Sequence, residues 1–357
     1  TANLHYLRER ERAQSEVDQI LGDSEPMRAV KAMLHRIVST QALAAAIPPS
    51  VLLTGETGTG KDLAARAIHY AGPRRDGPFV HVNCTALPEH LVEAELFGHV
   101  KGAFTDARGD KRGLFKVADG GTIFLDEIGH MALPLHAKLL GVIENRSVRP
   151  VGGTSERKIN VHVIAASNRD LQAAVRAGEF REDLYHRLRV LSIQLPPLRE
   201  RGGDIDILAR HFLQLYATRF ALPVEGFSDE ALASIRSYDW PGNVRELSHA
   251  IESAVLMADG PLIRPEHLNI KSAPLTGQVQ IALPQDRLIS LDFGSPATCP
   301  RLEDVEYQVI RAAVEFCGNN LSRAARILGI SRDAIRYRME RYRSHRGSLS
   351  AIPEGAS

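Results

Sequence analysis

Residues 55 to 62, Gly55-Glu56-Thr57-Gly58-Thr59-Gly60-Lys61-Asp62, follow the apolar run Val51-Leu52-Leu53-Thr54 and lead into the amphipathic segment 63–71. Glycines at this spacing let backbone amides curl round phosphate oxygens. The helix N-terminus adds partial positive charge, and Lys61 reaches the β and γ phosphates of a nucleoside triphosphate such as ATP. The simpler reading, a Gly-rich turn with no ligand, fails because a strand precedes the loop and a helix follows it. Asp62 stands where the general pattern has a Ser or Thr hydroxyl on Mg²⁺. Its carboxylate would hold the ion directly or through water.

Outward from this loop, short apolar runs recur at 79–82 (FVHV), 122–125 (TIFL), 161–167 (VHVIAAS) and 190–195 (VLSIQL), separated by amphipathic stretches. Apolar strands alternating with helices predict an α/β unit over 20–197 with a parallel sheet covered on both faces. The run at 122–125 ends in Asp126-Glu127. Alone, such a pair is usually a solvated strand end. Downstream of a phosphate loop, Asp126 is expected in the Mg²⁺ shell and Glu127 is expected to orient or deprotonate the attacking water. The run at 161–167 leads into Asn168, which could touch the γ phosphate or that water, or cap the next helix.

The chain has 357 residues, 44% hydrophobic and 24% charged, which excludes a mini-protein and a globally disordered chain. Forty-four basic and forty-three acidic residues leave a net +1, so attraction to nucleic acid or membrane must come from a local patch. Three distant cysteines, Cys84, Cys299 and Cys317, give neither a disulfide framework nor zinc spacing. The apolar stretches are far shorter than the roughly 20 residues of a membrane helix, and the charged start lacks a signal-peptide segment. A cytoplasmic protein without a membrane partner is expected, and a domain upstream of residue 1 stays open.

Residues 1–19 read as an exposed linker helix, 198–270 as a small all-helical unit, and 271–300, with four prolines, as a linker. Residues 301–346 return to helix, with a disordered tail over 347–357. From Leu321 to Arg338 the pattern is helix, Gly-containing turn and second helix, with Leu321, Ala325 and Leu328 on one apolar face and Ile330, Ile335 and Met339 on the next. Ser331 is the expected N-cap. Residues 320–346 hold eight arginines against two acids, about +6 in 27 residues, the footprint of DNA binding.

Together these motifs resemble the AAA+ ATPase core of sigma-54-dependent transcription activators, the bacterial enhancer-binding proteins. The resemblance also covers VNCTAL at 82–87, ELFGHVKGAFTDA at 95–107, FREDLYHRL at 180–188, LPPLRERGGDI at 195–205 and WPGNVREL at 240–247. It implies ATP at the subunit interfaces of a homo-oligomeric ring, commonly a hexamer. Arg181 and Arg187 match the family's arginine fingers, Arg245 the sensor arginine of the lid, and Asn83 the residue that pairs with the catalytic Glu. Ile20 and Leu21 fall where the adenine pocket begins. The C-terminal segment resembles the Fis-type helix-turn-helix, with Arg332, Arg336, Tyr337 and Arg338 expected on DNA. Residues 302–314 are expected to form a preceding helix that pairs two such domains.

The family's sigma-54 loop reads Gly-Ala-Phe-Thr-Gly-Ala. Here it reads Gly102-Ala103-Phe104-Thr105-Asp106-Ala107, and Val100 stands where many relatives have Glu. The resemblance therefore implies an ATP-driven activator that binds enhancer DNA and remodels sigma-54 RNA polymerase. Asp106 motivates an alternative, a DNA-binding regulator that binds ATP without acting on sigma-54. A non-transcriptional ATPase explains the phosphate loop but not the phenylalanine loop.

Overall fold

A computed structural model describes residues 17–45, 47–85, 89–103, 109–270, 278–283, 287–292 and 320–347, with short pieces between 306 and 317. It separates into two units, Thr1–Lys271 and Ser272–Ser357. In the first, strands β1 (Val51–Thr54), β2 (Phe79–Asn83), β3 (Thr122–Asp126), β4 (His162–Ser167) and β5 (Leu191–Gln194) form one five-stranded sheet in the order β2-β3-β4-β1-β5. Every pairing is parallel.

Alternation along the strands sends side chains into two different cores, as a pleat of period two requires. In β3, Ile123 and Leu125 join one cluster and Phe124 the other. In β4 the division is Val163 and Ala165 against Ile164 and Ala166. Helices α1 (Glu25–Val38) and α2 (Lys61–Tyr70) cover one face. The other is covered by α3 (Glu89–Phe97), α4 (Leu133–Asn145), α5 (Leu171–Arg176) and α6 (Glu182–Leu188). This is why the strands read as near-continuous apolar runs.

Val17 lies only 3% exposed in the core of the α1 and α2 face, so the expected linker helix 1–19 gives up its last residues to the fold. Residues 1–16 lie outside the described residues. The helical unit is built from α7 (Asp204–Phe220), α8 (Asp229–Ser237) and α9 (Asn243–Met257) around fully buried Trp240. Trp240 donates its Nε1 hydrogen to Ile235 O at 2.9 Å.

His162 is 2% exposed and donates Nε2 to Pro49 O at 3.1 Å. Burial, then the charge of Arg74, pushes its pKa from 6.5 down to about 3. Below pH 6.5 the unfolded chain therefore takes up a proton that the folded chain refuses. Stability contributed by the neutral ring is expected to be lost by about 1.4 kcal/mol per pH unit as pH falls from 6.5 toward 3. Urea midpoints measured on wild type and His162→Gln should diverge in slope across this window. Equal slopes would remove the assignment.

In the second unit, β6 (Gln278–Leu283) and β7 (Arg287–Asp292) form an antiparallel hairpin where the sequence predicts a linker. Its register sets Val279 opposite Leu291 and Ile281 opposite Ile289, a period-two pattern masked by the surrounding prolines. Helices α10 (Leu321–Leu328) and α11 (Arg332–Gly347) form the helix-turn-helix, with Gly329 at φ 66 in the turn. Ser331 Oγ accepts the Ala334 amide at 3.1 Å, as its N-cap role predicts. Ala325 and Ile335 are buried with Ile310, Val314 and Ala324, so part of the preceding segment closes this unit's own core. Residues 302–305 of the expected pairing helix and the tail beyond Gly347 lie outside the described residues.

Candidate active site and nucleic-acid interface

The sheet register assembles the phosphate site. Thr54 aligns with Ser167, so Gly55 and Asn168 leave neighbouring strands side by side. Asn83 aligns with Asp126 one strand further on. The loop between β1 and α2 then curls with Gly55 at φ 146, Gly58 at φ 80 and Gly60 at φ 104, values that favour glycine. Lys61 is 6% exposed and donates Nζ to Gly55 O at 2.8 Å and Glu56 O at 3.0 Å. Burial lowers its pKa, with Glu127 and Asp126 working to raise it and Arg245 to lower it. All three charges therefore converge on Lys61. Thr59 Oγ1 closes the loop on Glu56 O at 2.8 Å.

Asn168 donates Nδ2 to Thr57 Oγ1 at 3.0 Å, and its backbone amide faces Glu127 Oε2 at 3.4 Å. It does not cap the following helix. Asp170 does, accepting the Ala173 amide at 3.0 Å, because the chain needs two more residues to turn from β4 into α5. Glu127 sits at φ 55, a left-handed conformation that costs a non-glycine residue about 1 kcal/mol or more. Asn83 turns its Oδ1 onto Thr85, accepting from the amide at 2.9 Å and the hydroxyl at 2.7 Å. No hydrogen bond joins it to Glu127 among the described residues, so the expected pairing is not formed in this structure.

His81 lies between the two candidate Mg²⁺ carboxylates, with Nδ1 3.7 Å from Asp62 Oδ1 and Nε2 3.7 Å from Asp126 Oδ2. Burial works to raise the pKa of Asp126, but His81, the Glu127 amide and Lys61 together hold it below the usual range. Asp62 Oδ2 accepts from Arg66 Nε at 2.9 Å, while its buried Oδ1 accepts no hydrogen bond. A carboxylate oxygen in this position, with Asp126 on the far side of the His81 ring, fits a hard cation that takes one or two protein carboxylates and completes its shell with water and phosphate. Cys84 is buried beside Asp126, its amide donating to Asp126 O at 3.0 Å. Burial, reinforced by Asp126 and Glu127, pushes its thiol up to about 12 and leaves it unreactive.

Ile20 and Leu21 line a cavity of about 570 Å³ with Leu63, Phe212, Leu215 and Val244, apolar on most sides and open toward Thr59 and Gly60. A flat heterocycle would be held there by apolar contact, adjacent to the loop. Arg245 is exposed in the first turn of α9, which brings its charge to Lys61. Arg181 and Arg187 are elsewhere. Arg181 forms a two-pronged pair with Asp183 at 3.0 and 2.6 Å. Arg187 lies near Arg146, and its buried Nε has no hydrogen-bond partner. Among the described residues neither is bonded to the phosphate loop of its own chain.

Residues missing from the sequence reading hold that loop from the lid side: Arg199 on Glu56, Asn243 on Glu56 and Thr57, and Arg201 on Thr59. All three lie inside the quoted blocks at 195–205 and 240–247, yet nothing local marks their target.

Of the phenylalanine loop, Gly102 and Ala103 are described; Phe104, Thr105, Asp106 and Ala107 lie outside the described residues. The loop base is pinned by Val100 N to Val151 O at 3.1 Å and Val151 N to Gly98 O at 2.8 Å. A side chain on Gly152 would meet Ala103 Cβ at 2.9 Å and Val100 Cγ2 at 3.3 Å. Val100 thus packs where the 150–153 turn crosses the loop. In the second unit Arg332, Arg336, Tyr337 and Arg338 are exposed on α11, and Arg338 also pairs with Glu306 at 3.2 Å.

Residues 20–194 match the family described as the Sigma-54 interaction domain, 199–277 the AAA+ ATPase lid domain and 301–342 the Bacterial regulatory protein, Fis family. Response regulator protein PilR of Pseudomonas aeruginosa is 40% identical over 336 residues, covering 94% of this chain and 72% of PilR. The chain belongs to the sigma-54-dependent regulators. Regulatory protein AtoC of Escherichia coli (strain K12) is 45% identical over 301 residues, 82% of this chain and 62% of AtoC. With VnfA of Azotobacter vinelandii the covered share is 58% of the relative, so the chain spans about three fifths of these proteins. The crystal structure of NtrX from Brucella abortus in complex with ATP superposes with a TM-score of 0.65 at 29% identity, covering 90% of this chain and 68% of NtrX. No helix among the described residues is long and apolar enough to cross a membrane.

Proposed function

We propose that this chain is an ATP-hydrolysing transcriptional activator that binds enhancer DNA and remodels sigma-54 RNA polymerase so that promoters open. The observation that carries it is the convergence of Lys61, Asp126, Glu127 and Asn168 on the loop 55–60, in a chain of the sigma-54 family.

The base of ATP occupies the cavity at Ile20 and Leu21, and its phosphates lie over the loop amides beside Lys61 and Arg245. Asp62 and Asp126 would hold Mg²⁺, which when bound neutralises charge on the β and γ phosphates. Glu127 takes the proton of the attacking water as its oxygen bonds to the γ phosphorus and the bridge to ADP breaks. Subunits assemble, from dimers up to a hexameric ring, so that Arg181 and Arg187 of one protomer reach the nucleotide of the next. Arg187 supports this reading: among the described residues its Nε has no hydrogen-bond partner. Arg332, Arg336, Tyr337 and Arg338 bind the DNA, and the loop 102–107 meets sigma-54; both partners are consistent with a protein working in the bacterial cytoplasm.

Open-complex formation by sigma-54 polymerase on supercoiled template, with ATP and this protein, tests the proposal. The alternative regulator, favoured by Asp106 in place of Gly, yields no open complex although ATP and DNA bind. Within the assay Phe104→Ala should abolish opening while ATPase and enhancer binding persist, since a phenylalanine ring passing from water into an apolar groove gains about 2 kcal/mol. Asp106→Gly should keep or raise activation, because glycine adopts turn conformations freely and removes a rim charge. Full activation by Phe104→Ala would withdraw the contact assignment.

A further inference from the structure

Four consecutive residues of the phosphate loop are tied to the lid. The Glu56 carboxylate accepts two guanidinium hydrogens from Arg199, at 2.8 and 2.6 Å, and a third hydrogen bond from Asn243 Nδ2 at 3.1 Å. Asn243 Nδ2 also donates to Thr57 O at 3.0 Å, and its Oδ1 accepts the Leu198 amide at 2.7 Å. A Cβ on Gly58 would stand 2.1 Å from Gly242 O, so the loop and lid backbones run in contact there. Arg201 donates to Thr59 O at 2.7 Å.

Asn243 is fully buried at φ 53, an uncommon conformation for a residue other than glycine. Its amide satisfies the loop, the lid root and Glu56 at once, which fixes it there. It is also the first residue of α9, and Arg245 lies two positions on, in the same first turn. Whatever fixes Asn243 fixes the direction in which Arg245 leaves the helix. Glu56 is the charged part of that fixture, and its bonds to Arg199 and Asn243 hold its pKa down to about 2.

We propose that Glu56, bonded to Arg199 and Asn243, is a positioning residue that locks the first turn of α9 against the phosphate loop and so aims Arg245 at the nucleotide phosphates. The side chain of the second loop residue then serves the lid, while its backbone serves the phosphate. An ordinary exposed ion pair would contribute little. This one is two-pronged, carries a third bond and anchors a helix start that holds another cation. The proposal rests on the reading of this site as an ATP site.

The test is a double-mutant cycle on ATP affinity in the full chain, by calorimetry, with wild type, Glu56→Gln, Arg245→Ala and the double variant. Glu56→Gln, at a half-exposed position, should weaken ATP roughly tenfold by loosening charge-assisted bonds. It should add nothing further once Arg245 is gone. Arg199→Gln, the other exposed half of the clasp, should repeat both results. AMP, which lacks the β and γ phosphates, should bind the wild type and every variant alike. Losses that multiply in the double variant, or a Glu56→Gln protein with wild-type ATP affinity, overturn the positioning role. Wild type that binds no ATP overturns the ATPase reading itself, and the wild-type measurement alone tells the two failures apart.

Discussion

Arg187→Ala is expected to lower ATP turnover by about 10³- to 10⁵-fold, the range for losing a guanidinium supplied to the phosphoryl group by a neighbouring subunit. Its origin in trans is the testable part. Among the described residues Arg187 is not bonded to the phosphate loop of its own chain, and its buried Nε has no hydrogen-bond partner, with another cation, Arg146, nearby. Mixing Arg187→Ala subunits, which keep an intact nucleotide site, with Lys61→Ala subunits, which keep the finger, should therefore restore turnover. The restored fraction should track the number of interfaces where an intact site faces an intact arginine. If mixing is verified and turnover stays at the level of the separate variants, the arginine acts within its own chain or only supports the fold.

Glu127→Gln is expected to keep ATP binding and lower turnover by about 10²- to 10⁴-fold, since the amide keeps the shape and gives up the base. Glutamine meets the same left-handed backbone cost as glutamate, so the substitution adds no backbone strain. Single-turnover measurement with ATP in excess of its dissociation constant separates chemistry from binding. Wild-type turnover in Glu127→Gln would take the proton-transfer role away from this residue and leave Asn168, which already bonds Thr57, as the group to vary next.

The parallel sheet was legible because both its faces are covered. A strand such as 162–167, buried at every position, carries an unbroken apolar run over 163–166, and the polar residues that follow it mark the end where ligands bind. The phosphate loop was legible for the same local reason, with strand, glycines, lysine and helix contiguous. What could not be read depended on distance. Glu56 meets Arg199 across 143 residues and Asn243 across 187, and neither pair has a periodicity. Asn83 shows the opposite limit. Its place beside Asp126 follows from the strand register, but its side chain satisfies itself two residues away on Thr85, a local choice that the alignment of strands does not reveal. The hairpin at 278–292 had an alternating pattern in plain view, outweighed by the surrounding prolines.

The contact between Gly58 and the carbonyl of Gly242 bears on how such a chain can be inherited or recombined. A crossover between relatives placed at 195–198, where the sheet ends and the helices begin, looks like a clean exchange of modules. It would import residues 199, 201, 242 and 243 from one parent against a loop at 56–59 from the other, and a loop residue larger than glycine at 58 would find a foreign backbone already in its space. Segments far apart in the gene here form one heritable surface, and chimeras should remain active only when both halves of it come from the same ancestor.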